Sequence, residues 1–423
     1  MRLVKKSKGK INVGVGFVTG RKHFKDVVKT YVDNWNESGL VDKNDVAIHL
    51  FVAYDLKYYS TKVSDYKITD DEILTLVDSA YYLGDTAIAN EVEYLIEKGV
   101  VSKKEAKYIF GEGYAMKRNA VLYFALKNKM DYLIFLDDDE YPIATIKIGE
   151  SLLWKGQEVL STHISNIQHA DMTHGHHCGY ISPIPKLRFN NLLTEDDFRI
   201  FIESISNDII HWESVKEKMD AGGISYADLD VINSKKVETV QLVNGMKFIS
   251  GANLGINLKQ SEKLFPFYNP PGARGEDTFL STCIGECVIR KVPCYTFHDG
   301  FSNYNHLLLG VLPNKLKEMK DDSGYNVSRF LKASIGWIRY KPLLLYITRR
   351  EAYDKEISVI QDNLRFVIPK LCAFFNNDDF NRILEEFNIF HKNVERHYED
   401  FQQTKTAWLK IVKYVKTNEI ISK

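Results

Sequence analysis

The feature that most constrains this chain is a short apolar run that ends abruptly in acid: Tyr132-Leu133-Ile134-Phe135-Leu136, then Asp137-Asp138-Asp139-Glu140. A run with no polar face belongs in a sheet covered on both sides, as in α/β folds. Adjacent carboxylates repel one another and are costly to desolvate together. At the end of a buried strand they need a counter-charge. A hard divalent cation, Mn²⁺ or Mg²⁺, which prefers oxygen ligands, supplies one. The carboxyl edge of a parallel sheet is also where ligands bind in open α/β folds. The competing reading is a solvated acidic turn.

The surrounding pattern fits such a sheet. Strand-like runs at Ile11–Val18 and Val46–Ala53 alternate with helical patterns at His23–Trp35 and Ala115–Asn128. Thr69 with Glu72, and Ser102 with Glu105, are capping-box pairs that open helices. Further along, Glu158–Ile167, Met246–Asn257 and Val288–Phe297 read as strands, Thr173–Gly179 as a loop, and about 195–220 as helical pieces. From about residue 311 the pattern is helical, with helices expected over Ile357–Phe375, Phe380–Phe401 and Thr404–Val415. The expected class is α/β, with a mostly parallel central sheet.

Composition narrows the function. The 56 Lys+Arg balance the 56 Asp+Glu, which argues against a dedicated nucleic-acid partner. No stretch approaches the ~20 apolar residues of a bilayer span, and the basic N-terminus lacks the features of a signal peptide. Five scattered cysteines point to reduced thiols and a cytoplasmic setting. Cys283 and Cys287, four apart on an expected helix, with Cys294, read as core thiols in preference to a metal site.

Three stretches taken in order resemble the GT-A glycosyltransferase core, in its family 2-like branch. They are Lys117-Arg118-Asn119-Ala120 leading to the acidic strand end, Ser250-Gly251-Ala252-Asn253-Leu254, and Gly275-Glu276-Asp277-Thr278-Phe279-Leu280. The likeness covers roughly residues 10–300. It implies a Rossmann-like catalytic domain over 1–310, with an insertion at about 170–235 near the acceptor site, and a helical C-terminal domain over 311–423. It also implies a hexosyltransferase-like activity, moving sugar from a nucleotide-diphosphate sugar (a UDP- or GDP-sugar) to a hydroxyl of a carbohydrate or other acceptor.

By the same resemblance, Asp137 and Asp139 form the D-x-D pair: Asp139 ligates the metal, Asp137 contacts the ribose or reaches the metal through water, and Asp138 is able to take over either role. His298, or failing it His306, completes the metal shell. Asp277 is the general base of an inverting displacement, and Glu276 orients the acceptor. Thr19 and Asp55 line the nucleoside pocket, Gly251 and Ala252 lie beneath the donor sugar, and Lys117 and Arg118 meet base or phosphate. Arg274, on the loop Pro270–Gly275, is expected to close over the diphosphate as part of a lid.

Two features stand outside that reading. His163, His169, His174, His176 and His177 cluster in sequence and read as acceptor recognition, a polar loop, or a second metal site. The helix carrying Trp408, Leu409, Ile411, Val412, Tyr414 and Val415 among lysines reads as packing on the catalytic domain or a homodimer contact, in preference to peripheral contact with anionic lipid. The rival functions are a nucleotidyltransferase acting on sugar phosphates and a carbohydrate-binding protein without activity.

Overall fold

The structure, a computed structural model, describes residues 9–40, 45–207, 212–303 and 305–421. Its first part alternates strand and helix: β1 (Ile11–Thr19), α1 (Phe24–Glu37), β2 (Val46–Tyr54), α2 (Asp71–Leu76), β3 (Ser79–Leu83), α3 (Asp85–Glu97), α4 (Lys103–Phe110), α5 (Tyr114–Lys127) and β4 (Tyr132–Leu136). There follow β5 (Glu140–Tyr141), a hairpin of β6 (Ile143–Ile148) and β7 (Ser151–Gly156), α6 (Val159–Ile167) and β8 (Met172–Tyr180). Next come α7 (Glu195–Ile205), α8 (Trp212–Asp220), β9 (Ile224–Ser225), α9 (Leu229–Ser234), β10 (Glu238–Thr239), β11 (Leu254–Asn257), α10 (Glu276–Ser281) and β12 (Ile289–His298). Four long helices finish the chain: α11 (Gly324–Thr348), α12 (Tyr353–Phe375), α13 (Arg382–Lys392) and α14 (Val394–Ile421).

The main sheet runs in the order β10-β12-β8-β11-β4-β1-β2-β3. Strands β3, β2, β1 and β4 are mutually parallel. Strand β11 is antiparallel to both β4 and β8, and β12 runs parallel to β8. The sheet is therefore mixed, with reversed strands inserted into a parallel frame. Close packing of α5 on β1 depends on a missing side chain. A Cβ at Gly16 would lie 2.6 Å from Val121 Cγ1.

Three expectations need correction. Glu158–Ile167 was expected as a strand, but Val159–Ile167 is helix α6, which buries Val159, Leu160, His163 and Ile167 at helical spacing. Thr173–Gly179 was expected as a loop, but it lies in the interior strand β8, so Met172–Tyr180, near the start of the presumed insertion, belongs to the central sheet. Of Met246–Asn257, only Leu254–Asn257 is strand. Two smaller differences concern helix ends. Asp70, not Thr69, caps α2 through the Glu72 amide, and α10 stops at Ser281, before Cys283 and Cys287. The Ser102–Glu105 capping box closes in both directions.

The C-terminal helices serve two cores. Phe330, Leu364, Ile368 and Phe380 of the C-terminal segment pack with Phe198, Phe201 and Trp212 of α7 and α8. Helix α14 returns to the sheet side, where Ala407, Trp408, Ile411, Val412 and Val415 join the core that includes Ala106 and Ile109 of α4. Trp408 Nε1 donates to the Leu264 carbonyl at 3.0 Å, and Lys410 pairs with Glu105 at 2.6 Å. The apolar face of this helix is thus covered by the chain itself. Among the described residues, no helix is long and apolar enough to cross a membrane. Trp408→Ala removes a fully buried indole and its hydrogen bond, so a loss of about 3–5 kcal/mol is expected in urea unfolding. A loss under about 1 kcal/mol would show that α14 is not anchored in the core.

Candidate functional site

The sheet changes winding direction at β1. Strands β2 and β3 lie on one side of it and β4 on the other, so the loops leaving β1 and β4 part and open a crevice at their carboxyl ends. Phe17 and Leu136 are register partners, which puts Thr19 and Asp137–Asp139 at the same edge. Thr19 Oγ1 donates to Asp138 Oδ2 at 2.6 Å and accepts from the Arg21 amide at 3.2 Å. Arg21 then spans two carboxylates: Nε lies 3.2 Å from Asp138 Oδ1, and Nη2 lies 2.6 Å from Asp139 Oδ2.

His298 ends β12 on the far side of the same acids. Its Nδ1 donates to the Tyr180 carbonyl, and its Nε2 lies 3.5 Å from Asp139 Oδ2. Asp137 faces another way. It accepts from Tyr114 Oη at 2.8 Å and from Arg118 Nη2 at 3.0 Å. Asp139 and His298 therefore come together, while Asp137 is committed to Arg118.

Arg118 is the pivot of the site. It is 1% exposed and lies within 5.5 Å of the ring centroids of Tyr114, Phe135 and Phe267. Its Nη1 donates to the Gly251 carbonyl, and its Nε is 3.5 Å from Glu276 Oε1. A Cβ at Gly251 would stand 3.3 Å from both Arg118 Nη2 and Glu276 Oε1, so only a bare backbone leaves them this room. The next residue, Asn119, holds both backbone groups of Phe267, at 2.9 and 2.7 Å. Through one guanidinium the end of β4 and the start of α10 face the same cleft.

Glu276 and Asp277 open α10 after Gly275, whose φ of 89° is a left-handed conformation that favours glycine. Asp277 Oδ1 accepts the Thr278 amide at 2.8 Å. The loop ahead of them, expected as a lid, is tied to α11. Arg339 donates to the Gly272 carbonyl at 2.8 Å, and the Arg274 amide donates to the Gly336 carbonyl at 3.2 Å.

Burial and charge set the protonation pattern. Burial, then the neighbouring Asp139, pushes the Asp138 pKa up to about 7. Burial, then Asp277, pushes Glu276 up to about 7. Burial opposes ionisation of Asp139 too, yet His298 and Arg21 hold it well below the usual carboxylate range. Burial works against the His298 imidazolium, but Asp139 raises its pKa to about 9.

The other expected site residues are dispersed. Lys117 points away from the acids and pairs with Asp85 at 2.6 Å. Asp55 sits beside the cleft, its amide donating to the Thr19 carbonyl and its carboxylate capping the Lys57 amide. Ala252 is buried next to Gly251. His306 lies on the turn Asn305–Leu309 that follows β12.

The histidine cluster is mostly an interior seam. His163 is fully buried and bonds Thr173 Oγ1 at 2.7 Å and Asn253 Oδ1 at 2.8 Å. His177 Nδ1 is 3.0 Å from Glu140, whose other oxygen accepts from Thr296 Oγ1 at 2.7 Å. Burial lowers the His163 and His176 pKa values to about 4 each, so both are neutral at pH 7. His169 is exposed.

Sequence reasoning did not place Arg21, Tyr114 or Glu140 in the site. Tyr114 stands four residues before Arg118, the helical spacing for a stacked pair, and Glu140 directly follows the acidic triplet. No family model matches this chain, and no curated protein matches its sequence.

The charges make two expectations. Arg118→Met leaves Asp137 and Glu276 buried without a counter-charge and is expected to cost about 3–5 kcal/mol in chemical unfolding at pH 8. Glu276 holds its proton more tightly folded than unfolded, so its contribution to stability grows as pH falls from about 7 towards 4.5. Glu276→Gln is therefore expected to raise the melting temperature at pH 8 and to leave it nearly unchanged at pH 5. An equal shift at both pH values would contradict that assignment.

Proposed function

We propose that this chain is a GT-A-type glycosyltransferase that moves a sugar from a nucleotide-diphosphate sugar to a hydroxyl acceptor. One observation carries the reading: Arg118 places the acids at the end of β4 and the Glu276–Asp277 pair on one cleft at the sheet's switch point. On this reading the donor diphosphate would bind at the first acids and the acceptor hydroxyl at the second pair, with the transferred sugar between them.

The residues fit a divalent cation as a partial shell. Nδ1 of His298 is fixed by the Tyr180 carbonyl, so the Nε2 lone pair of the neutral ring is directed at the side where Asp139 Oδ2 lies. Among the described residues, no group of three His, Cys, Asp or Glu forms a complete metal shell. Asp139 and His298 would therefore hold Mn²⁺ or Mg²⁺ together with phosphate oxygens of the substrate, as such ions often require. When bound there, the cation neutralises charge on the departing nucleoside diphosphate. Asp277 takes the proton of the acceptor hydroxyl as that oxygen attacks the anomeric carbon, which inverts the sugar. Glu276, with a pKa near 7, holds the acceptor through a proton it can keep or give.

One observation bears on the nucleotidyltransferase alternative. Arg21, just beyond β1, does reach the cleft, as a basic residue of a phosphate loop would. The glycines do not form such a loop. Gly14 and Gly16 lie inside β1, where a Cβ would press on Phe51 and Val121. Glycosyl transfer is therefore the better reading.

The test is a screen of nucleotide sugars for hydrolysis and transfer, with and without Mn²⁺. Turnover that needs the cation is expected in wild type, with a fall of at least ~100-fold in Asp277→Asn. Asp139→Ala is expected to abolish the cation dependence and most of the rate. Release of pyrophosphate from a nucleoside triphosphate plus a sugar phosphate, with no transfer from any nucleotide sugar, would replace this reading with the alternative.

Arg21 and a metal ion would share one oxygen, Asp139 Oδ2. Arg21→Gln is thus expected to tighten Mn²⁺ binding roughly tenfold in the absence of nucleotide, measured by electron paramagnetic resonance. An unchanged or weaker affinity would show that Arg21 does not compete with the ion.

A further inference from the structure

Four arginines reach this cleft, and they fall into two pairs. Arg21 and Arg118 each hold carboxylates. Arg274 and Arg329 form no ion pair with a carboxylate among the described residues. Arg329, on α11, donates through Nη1 to the Gly300 carbonyl and stacks 4.0 Å over the Phe301 ring, three residues past His298. Its charge reaches Asp139 and helps to keep that carboxylate ionised. Arg274 comes from the loop before Glu276 and lays its stem across α11. A Cβ at Gly336 would fall 2.8 Å from its Cγ and 2.9 Å from its Cδ. No hydrogen bond engages its guanidinium among the described residues. Burial and the neighbouring Arg329 charge push the Arg274 pKa down, so the two cations act on each other.

Arg329 and Gly336, which the Arg274 stem crosses, are seven residues apart on α11 and so lie on the same face of that helix. Two cations on one face, neither in an ion pair with a carboxylate, repel each other in the free protein and are favourable neighbours once an anion lies between them. Their combined charge of two matches a phosphate dianion better than a single carboxylate. Arg329 holds the Gly300 carbonyl, two residues past His298, and Arg274 stands two residues before Glu276, so one arm belongs to each group of acids. We propose that Arg274 and Arg329 form a seat for a phosphate group of the substrate, with one arm on the catalytic loop and the other on the C-terminal helix α11. The proposal deepens the glycosyl-transfer reading and rests on it only for the source of the phosphate. It also makes α11 part of the substrate site, beyond the boundary expected at residue 310.

Binding measurements test it without turnover. Isothermal titration with UDP and GDP in Mn²⁺ compares wild type with Arg274→Gln, Arg329→Gln and Arg329→Lys. Arg274→Gln breaks no hydrogen bond of the free protein, so an unchanged melting temperature keeps this arm interpretable even if Arg329→Gln is destabilised. A loss of roughly tenfold or more for the diphosphates in both Gln variants is expected. UMP and GMP should change little, and Arg329→Lys should recover part of the loss. That result puts the donor's terminal phosphate in the seat. The same loss confined to glucose 6-phosphate, titrated in saturating UDP, puts a phosphorylated acceptor there instead. Wild-type affinity of both Gln variants for the diphosphates, inorganic pyrophosphate and the sugar phosphate overturns the seat. The two readings fail separately. Arginine-dependent phosphate binding without sugar transfer would leave the seat and remove the transferase. Transfer that is indifferent to both arginines would do the reverse.

Discussion

A guanidinium buried to 1% exposure must have anions and acceptors around it, and Arg118 organises the molecule by that requirement. Its partners come from three distant stretches of chain: Asp137 after β4, the Gly251 carbonyl before β11, and Glu276 at the start of α10. Aromatic rings of Tyr114, Phe135 and Phe267 surround its plane and exclude water. Desolvation makes the Arg118 charge expensive alone, so carboxylate, carbonyl and rings are needed around it together. The same requirement brings two carboxylate groups, far apart in sequence, to one wall of one cleft.

The C-terminal helices matter to that wall. The loop before α10 is pinned to α11 by bonds at Gly272 and Gly336, and Gly275 packs against Tyr340. Arg339, which makes the first of these bonds, is itself fixed by a two-pronged pair with Glu386 of α13, at 2.9 and 2.6 Å. A bidentate pair of this kind holds direction as well as distance. The position of Glu276 and Asp277 is thus set from both sides, by Arg118 within the sheet layer and by α11 outside it. In this structure the loop expected as a lid rests on α11 through the bonds at Gly272 and Gly336.

What could be read from the residues followed burial. Strands β1, β2 and β4 are mostly apolar runs, and their positions, like the acidic edge of β4, were legible from the residues alone; β12 is legible from the apolar run that follows Arg290 and Lys291. Strand β8 was not, because its buried neighbours are polar. His163, Thr173, Asn253, Glu140 and His177 satisfy one another inside the sheet, and a Met-Thr-His-Gly-His-His-Cys-Gly-Tyr stretch looks like a loop until those partners are in place. Gly175 belongs to the same seam, since a Cβ there would strike the Asn253 side chain. Helix α6 was misread because its β-branched residues mimic a strand, while its buried positions keep the helical period. Arg21 and Arg329 lie far in sequence from the acids they influence, so no local pattern could disclose them.

The balance of charge in the cleft argues for how it fills. Asp137, Asp138, Asp139, Glu276 and Asp277 stand against Arg21, Arg118, Arg274, Arg329 and His298. At rest, Asp138 and Glu276 are near the midpoint of titration at pH 7, which spares the site part of its negative charge. A cation arriving alone would have to displace Arg21 from Asp139 and leave that guanidinium on Asp138 alone. A polyanion arriving alone would gain Arg274 and Arg329 but meet the carboxylates of β4. Arriving together, the two bring opposite charges to opposite walls, and Arg21 gains a phosphate in exchange for the carboxylates it releases. On the proposed reading, the arrangement of the side chains would therefore suit a metal-bound diphosphate better than either component alone.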